Sequence, residues 1–406
     1  MKKLAIIAPS DFPIPSVCGG AVENLTSYFI FENEKKPIFR IDVYCAENQE
    51  LNDLCFEHCN IIQLALPKYK KIRKIYCAVF NRIAKQLKIQ KAKFYFDKYM
   101  ADSVIYSNDY NFILVENNMN VFEYLLRRIN GNEKLYFHLH NDVIESAYKN
   151  KRLCKMVYEN CEKVFCASQY LKERFELACE TDVHKKIRLL TNCVDFSVFR
   201  ICADEKMNEL RKKFSIEKDE YVILYSGRIT PEKGVLELVN AIVNLPEAMK
   251  VRCIVVGGSW FRTHSENEYL NQLKNKADEY KKRFIFTGYC SYKEMPLLYQ
   301  LADITVVPSK WEEPFGMVAL EALAMGCPLI VTKKGGLKEI PDDKCAYFID
   351  DMDHLTEMVG EMICKHYYCS EAQKQYMRRC AIEKVQKDFY GTEEYFSRLS
   401  KEVLND

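Results

Sequence analysis

The sequence predicts an α/β protein built from two doubly wound, Rossmann-like domains. Three observations carry this. At 406 residues the chain exceeds one ordinary hydrophobic core. Short apolar runs alternate with helix-length stretches, the signature of βαβ units around a parallel sheet. The same plan occurs twice, and the charged stretch between Asp195 and Lys218 separates the two halves.

In the first half, Lys3–Ala8 is a short apolar run of the kind that forms a buried parallel strand. A loop with Pro9, Pro13, Pro15, Gly19 and Gly20 follows, and Ala21–Phe31 reads as a helix. Strand, glycine loop and helix open a βαβ unit. Further strands are expected at Ile41–Cys45, Phe112–Val115, Leu135–Leu139, Lys163–Ala167 and Ile187–Leu190. In the second half, strands are expected at Tyr221–Tyr225, Val251–Val256, Arg283–Phe286, Ile304–Val307, Pro328–Val331 and Ala346–Phe348. Helices fit between them at Gly234–Asn244, Glu268–Tyr280, Met295–Leu301, Gly316–Met325 and Asp353–His366, and Glu371–Leu404 reads as a long polar helical stretch. We place the domains at 1–198 and 199–385, with 386–406 a helical segment crossing back to the first domain. In open α/β sheets ligands bind at the carboxyl ends of the strands, so the chemistry belongs to the loops that follow them.

Composition narrows the class. Hydrophobic residues make up 48% and charged residues 29%, the balance of a folded globular protein. The 59 basic and 57 acidic residues nearly cancel, which gives no overall bias toward nucleic acid. The 18 cysteines contain no C-x-x-C pair, so neither a zinc site nor a dithiol redox site is expected, and free buried thiols in a reducing cytoplasm are. The first apolar run stops at Pro9, too short for a signal peptide, and no run approaches the ~20 residues needed to span a bilayer.

Two segments carry the chemistry. In Ser226-Gly227-Arg228-Ile229-Thr230-Pro231-Glu232-Lys233-Gly234, a strand delivers Gly227 and Arg228 into a loop, and Lys233 follows five residues later at the start of a helix. A planar guanidinium and a mobile ammonium can converge on one phosphate-sized anion, a job otherwise given to a metal ion. The alternative is a surface turn with two solvated cations. In Glu313-Pro314-Phe315-Gly316-Met317-Val318-Ala319-Leu320-Glu321, proline and glycine open a helix whose first N–H groups form an anion site. Glu313 precedes that helix and Glu321 lies two turns inside it, too far apart to share a proton. They suit two different sets of hydroxyls. The plainer reading is a helix cap and an exposed helix position, but Glu321 is flanked by Ala319, Leu320, Ala322, Leu323 and Ala324, a setting in which a carboxylate needs a partner.

The pattern R-x4-K followed by E-P-F-G-x4-E-A-x-A-x-G resembles the retaining GT-B glycosyltransferases of family 4, also called group 1. Gly19-Gly20 matches the family's N-terminal glycine loop, and Asn192-Cys193-Val194-Asp195 its N-G-V-D turn with Cys193 in place of glycine. Ser168 with Lys172, Gly257-Gly258, Gly288, Pro308-Ser309 and Gly335-Gly336-Leu337-Lys338-Glu339 follow in the family's order. The resemblance implies a GT-B fold, two Rossmann-like domains facing each other across a cleft, and transfer of a sugar from a nucleotide-sugar donor, a UDP-sugar by family frequency. It implies that Arg228 and Lys233 hold the donor diphosphate, that Glu321 binds the ribose hydroxyls and that Glu313 contacts the transferred sugar. The N–H groups of Phe315, Gly316 and Met317 would bind sugar hydroxyls, and those of Val318 and Ala319 the distal phosphate. Gly19, Gly20, Gly227 and Gly258 would let backbone approach the donor, and Tyr289 would line the nucleobase pocket. No metal and no other cofactor is expected, and the anomeric configuration would be retained.

Two histidines follow a first-half strand in Phe137-His138-Leu139-His140-Asn141-Asp142. By the resemblance, His140 lies over the donor sugar. His138, one step deeper, is expected as a satisfied core histidine, and the pair lacks further ligands for a metal. Toward the acceptor, Lys68–Tyr99 is dense in lysine, arginine and aromatic residues. It suits peripheral contact with an anionic membrane and a glycan or lipid-linked acceptor; its plainer reading is a solvated helix face, and no nucleic-acid motif accompanies it. The expected role is surface polysaccharide synthesis in the cytoplasm. The alternatives are a nucleotide-sugar epimerase and a non-catalytic subunit that binds the donor for a partner.

Overall fold

The computed structural model describes residues 1–9, 12–17, 19–64, 95–106, 109–127, 129, 132–142, 149–179, 185–258 and 268–405. The chain forms two compact units: Met1–Leu190 together with Glu393–Asp406, and Thr191–Thr392.

The first unit holds a parallel sheet of seven strands in the order β3-β2-β1-β4-β5-β6-β7. These are Lys2–Ile7 (β1), Phe39–Ala46 (β2), Cys59–Leu64 (β3), Phe112–Glu116 (β4), Lys134–Leu139 (β5), Lys163–Cys166 (β6) and Ile187–Leu189 (β7). Leu4, Ala5, Ile6 and Ile7 of the central β1 are all buried, as both faces of a parallel sheet require. The order reverses between β1 and β4, which opens a crevice at their carboxyl ends. The loop leading to Gly19 and Gly20 leaves from there and enters helix α1, Ala21–Lys35.

The second unit holds a parallel sheet of six strands in the order β10-β9-β8-β11-β12-β13. These are Tyr221–Ser226 (β8), Val251–Val256 (β9), Phe284–Gly288 (β10), Ile304–Val307 (β11), Leu329–Thr332 (β12) and Ala346–Ile349 (β13). Its switch point lies between β8 and β11, so the loops after these two strands frame the crevice. Those loops carry Gly227–Gly234 and Ser309–Gly316.

Four features depart from expectation. The strand Cys59–Leu64 was not anticipated: it is an edge strand whose middle residues are only half-buried, and Asn60 and Gln63 dilute its apolar pattern. The polar C-terminal stretch is two helices, Glu371–Asp388 and Thr392–Leu404, broken at Gly391. The first unit ends at Leu190 rather than residue 198, since Val194 N–H bonds to Tyr390 O at 3.1 Å and Phe199 joins the second core. The return to the first unit comes at Glu393 rather than residue 386, because Phe389 stays in the second core with its ring against Phe315. Within the first unit, the last helix places Phe396 against Phe29, and Tyr136 Oη donates to Val403 O at 3.0 Å.

Among the described residues no helix is long and apolar enough to cross a membrane, and each described cysteine is a free thiol.

Candidate functional site

In the second unit, β8 ends in Ser226 and the chain turns at Gly227, where Arg228 is half-buried. Tyr225 Oη donates to Arg228 O at 2.7 Å and Ile229 N–H to Gly258 O at 2.9 Å, which fixes the loop over its neighbour. A short 3-10 turn, Pro231–Lys233, then leads through Gly234 into the helix Val235–Val243. Gly234 has φ 69°, and a Cβ there would stand 1.9 Å from Pro308 O, so only glycine lets this loop pass the end of β11.

That close passage brings Lys233 to Glu313. Lys233 Nζ lies 2.5 Å from Glu313 Oε1, and Ser309 Oγ donates to the same oxygen at 2.7 Å. Both charged side chains are largely buried. Gly335 packs on the Glu313 backbone, and Gly336 N–H donates to Glu313 O at 2.6 Å. The residue is thus held by its carboxylate and by its backbone.

Just beyond it, Gly316 opens the helix Met317–Ala324 with no side-chain cap. The first N–H groups of a helix have no intrahelical acceptor. Ala319 departs from expectation, because its N–H already donates to Gly316 O at 2.9 Å. The anion-binding capacity falls on the N–H groups of Phe315 to Val318. The Phe315 ring itself faces the core. Asn192 reaches the same helix start, its Nδ2 3.5 Å from Met317 Sδ.

Glu321 is buried two turns in, on the face toward Tyr299. Tyr299 Oη donates to Glu321 Oε2 at 3.0 Å. Burial pushes the Glu321 carboxyl up to about 7, and the hydroxyls of Tyr299 and Tyr292 offset only part of that. Tyr289 follows Gly288 at the end of β10 and is 36% exposed.

The first unit holds a second cluster. Gly19 and Gly20 both have positive φ, at 78° and 120°. The Glu23 side chain folds back over Gly20, where a Cβ would stand 2.0 Å from Glu23 Oε2. Burial raises the Glu23 carboxyl to about 7. His140 lies at the end of β5, and its Nε2 is 2.7 Å from Glu116 Oε2. His138 is fully buried, as expected of a core residue, but it is not satisfied: neither ring nitrogen makes a well-aligned hydrogen bond, and Nδ1 stands 3.3 Å from Glu116 Oε2. Glu116 also supplies the third metal-type ligand that the pair was expected to lack.

The sequence reading missed Glu116, Glu23 and the tyrosine partners of Glu321, and gave Ser309 a motif position but no role. A carboxylate ending the apolar run Phe112-Ile113-Leu114-Val115 was the available signal for Glu116. The basic segment loses residues 68–94, which lie outside the described residues.

Comparison with known proteins decides the class. Residues 206–362 match the family of glycosyl transferases group 1. The chain is 28% identical over 351 residues to the lipopolysaccharide 1,2-N-acetylglucosaminetransferase of Salmonella typhimurium, covering 84% of this chain and 82% of that protein. The chain is a glycosyltransferase. YtcC of Bacillus subtilis, whose name assigns it to the same class, is 28% identical over 354 residues, covering 83% of this chain and 76% of that protein. The transferase has the GT-B fold: the crystal structure of HepE from Anabaena in complex with UDP superposes with a TM-score of 0.74 at 17% identity, covering 100% of both chains.

Proposed function

We propose that this glycosyltransferase is a metal-independent, retaining enzyme of the family 4 type that transfers a sugar from a UDP-sugar to a glycan or lipid-linked acceptor of a surface polysaccharide. The observation that carries the reading is the Lys233–Glu313 pair at the mouth of an uncapped helix. Cation, carboxylate and free N–H groups stand together where a diphosphate and its sugar would meet. The UDP bound by HepE and the lipopolysaccharide named for the Salmonella relative support the donor and the acceptor class.

In this reading Arg228 and Lys233 neutralise the donor diphosphate, and the helix start takes the remaining oxygens. Lys233 is then shared between Glu313 and phosphate, which leaves Glu313 free to face the sugar and stabilise positive charge developing at its anomeric carbon. Glu321 accepts from the ribose hydroxyls. The bond from anomeric carbon to phosphate oxygen breaks, the acceptor oxygen attacks the same face, and the departing phosphate oxygen takes the acceptor proton. The cations occupy the role that a divalent ion would fill. His140 and the glycine pair Gly19 and Gly20 serve the donor from the first domain. Lipid-linked acceptors would bring the enzyme to the anionic cytoplasmic face of a membrane through Lys68–Tyr99.

The test is a transfer assay with UDP-sugars in EDTA, with the anomeric coupling of the product read by NMR. The reading predicts undiminished turnover and the donor's own configuration in the product. Loss of activity in EDTA or an inverted product overturns it.

A further inference from the structure

Glu116 closes β4 and lies opposite His138 in the parallel register with β5. His140, two residues on, returns to the same face because side chains alternate along a strand. One carboxylate oxygen therefore sits between two imidazoles whose ring centroids are 3.8 Å apart. His138 is fully buried, and Glu116 and His140 keep 3% and 6% of their surface exposed.

The 2.7 Å contact between Glu116 and His140 is the length of a charge-assisted hydrogen bond. Two donors on one tetrahedral metal ion would stand further apart, roughly 3.3 Å when each lies about 2.0–2.2 Å from the ion. Burial alone would raise the Glu116 carboxyl, but the two imidazoles outweigh it and hold it down at about 2. It is an acceptor at neutral pH. Burial holds His138 down at about 4, so His138 is neutral. Among the described residues, the other titratable group facing the cluster is Glu23 of α1, which His140 and Glu116 both influence. An acceptor at Nε2 fixes a proton there, and in an imidazole that carries one proton the lone pair is then on Nδ1. His140 Nδ1 is buried and has no hydrogen-bond partner among the described residues.

We propose that Glu116 is a positioning residue that holds His140 in the Nε2–H tautomer, so that the unpartnered Nδ1 accepts a hydrogen bond from a hydroxyl of the sugar being transferred. The proposal rests on the reading of His140 as a donor-sugar residue. It accounts for the carboxylate buried at the end of β4 and for the unpartnered Nδ1 of His140, but not for the two nitrogens of His138, which also lack a hydrogen-bond partner among the described residues.

The experiment uses the full chain in two measurements. Long-range proton–nitrogen NMR of histidine-labelled protein is expected to show His140, assigned with His140→Ala, protonated at Nε2 and bare at Nδ1. Glu116→Gln is expected to mix the tautomers and lower kcat by roughly tenfold to a hundredfold, the worth of one charge-assisted hydrogen bond. The donor KM is expected to stay within threefold, Glu116→Asp to recover part of the rate, and the double variant with His140→Ala to be no slower than His140→Ala alone. An Nδ1–H tautomer in the unaltered protein overturns the proposal, as do additive losses in the double variant or a stoichiometric bound metal ion by elemental analysis. If His140→Ala keeps full kcat, the donor-sugar reading fails instead, while the NMR still decides the tautomer. If Glu116→Gln does not fold, the spectrum of the unaltered protein decides alone.

Discussion

Lys233 and Glu313 pair in a largely buried setting, so removing one leaves the other poorly compensated. Lys233→Ala and Glu313→Ala are each expected to lower kcat about a hundredfold or more, the scale of losing one electrostatic contact to the reacting group. Steady-state transfer kinetics check this, and a near-normal rate in either variant contradicts the site. Glu321 makes a different prediction. Its carboxyl is raised from an ordinary 4.5 to about 7 by burial, so the folded state binds a proton that the unfolded chain releases. That contribution to stability is whole below pH 4.5 and is lost as pH rises through 7. Above that pH an ionised Glu321 costs up to about 3 kcal/mol in the free protein. Glu321→Gln is expected to flatten the fall in Tm between pH 5 and 8 and to weaken nucleotide binding. Thermal unfolding across pH, with and without UDP, measures both; an unchanged pH slope contradicts the assignment of the buried charge. Such a residue was half legible in the sequence. The apolar neighbours of Glu321 signalled a carboxylate in need of a partner, but nothing local named Tyr299, which lies 22 positions away.

At the scale of elements, glycines decide how closely the loops after β8, β11 and β12 approach one another. Gly234→Ala would place a methyl group 1.9 Å from a backbone carbonyl at φ 69°. It is expected to destabilise the second unit by roughly 1–3 kcal/mol and to weaken nucleotide binding by moving Lys233. Urea unfolding followed by titration with UDP checks this, and a variant with unchanged stability contradicts the close passage. The core strands were legible because buried parallel strands are continuous apolar runs, as in Leu4–Ala8 and Val251–Val256. The strand Cys59–Leu64 was not, because an edge strand is half wetted and its pattern fades. The register of Glu116 with His138 was equally out of reach, since strand pairing sets it across 22 residues.

At the scale of the whole chain, the first unit is discontinuous. Its last helix, Thr392–Leu404, buries Tyr395, Phe396, Leu399 and Val403 within that unit. Lys163 Nζ also donates to Glu402 O at 2.7 Å. Truncation after Thr392 is expected to speed amide exchange in β1, β5 and β6 while leaving β8, β9 and β11 protected. Equal loosening of both sheets would contradict the division. The break at Gly391 that frees this helix was written in the sequence as glycine followed by threonine, a stop and a start signal. The uniformly polar composition on both sides masks those signals.

In the proposed function, the second unit binds a nucleoside diphosphate with its own cations and helix start. The measurement that tests it most directly is calorimetric titration of UDP into the full chain in EDTA, repeated with Lys233→Ala. Saturable one-to-one binding is expected, which added Mg²⁺ does not strengthen and the substitution weakens at least tenfold. Binding that appears only with a divalent metal, or that ignores the loss of Lys233, would contradict it.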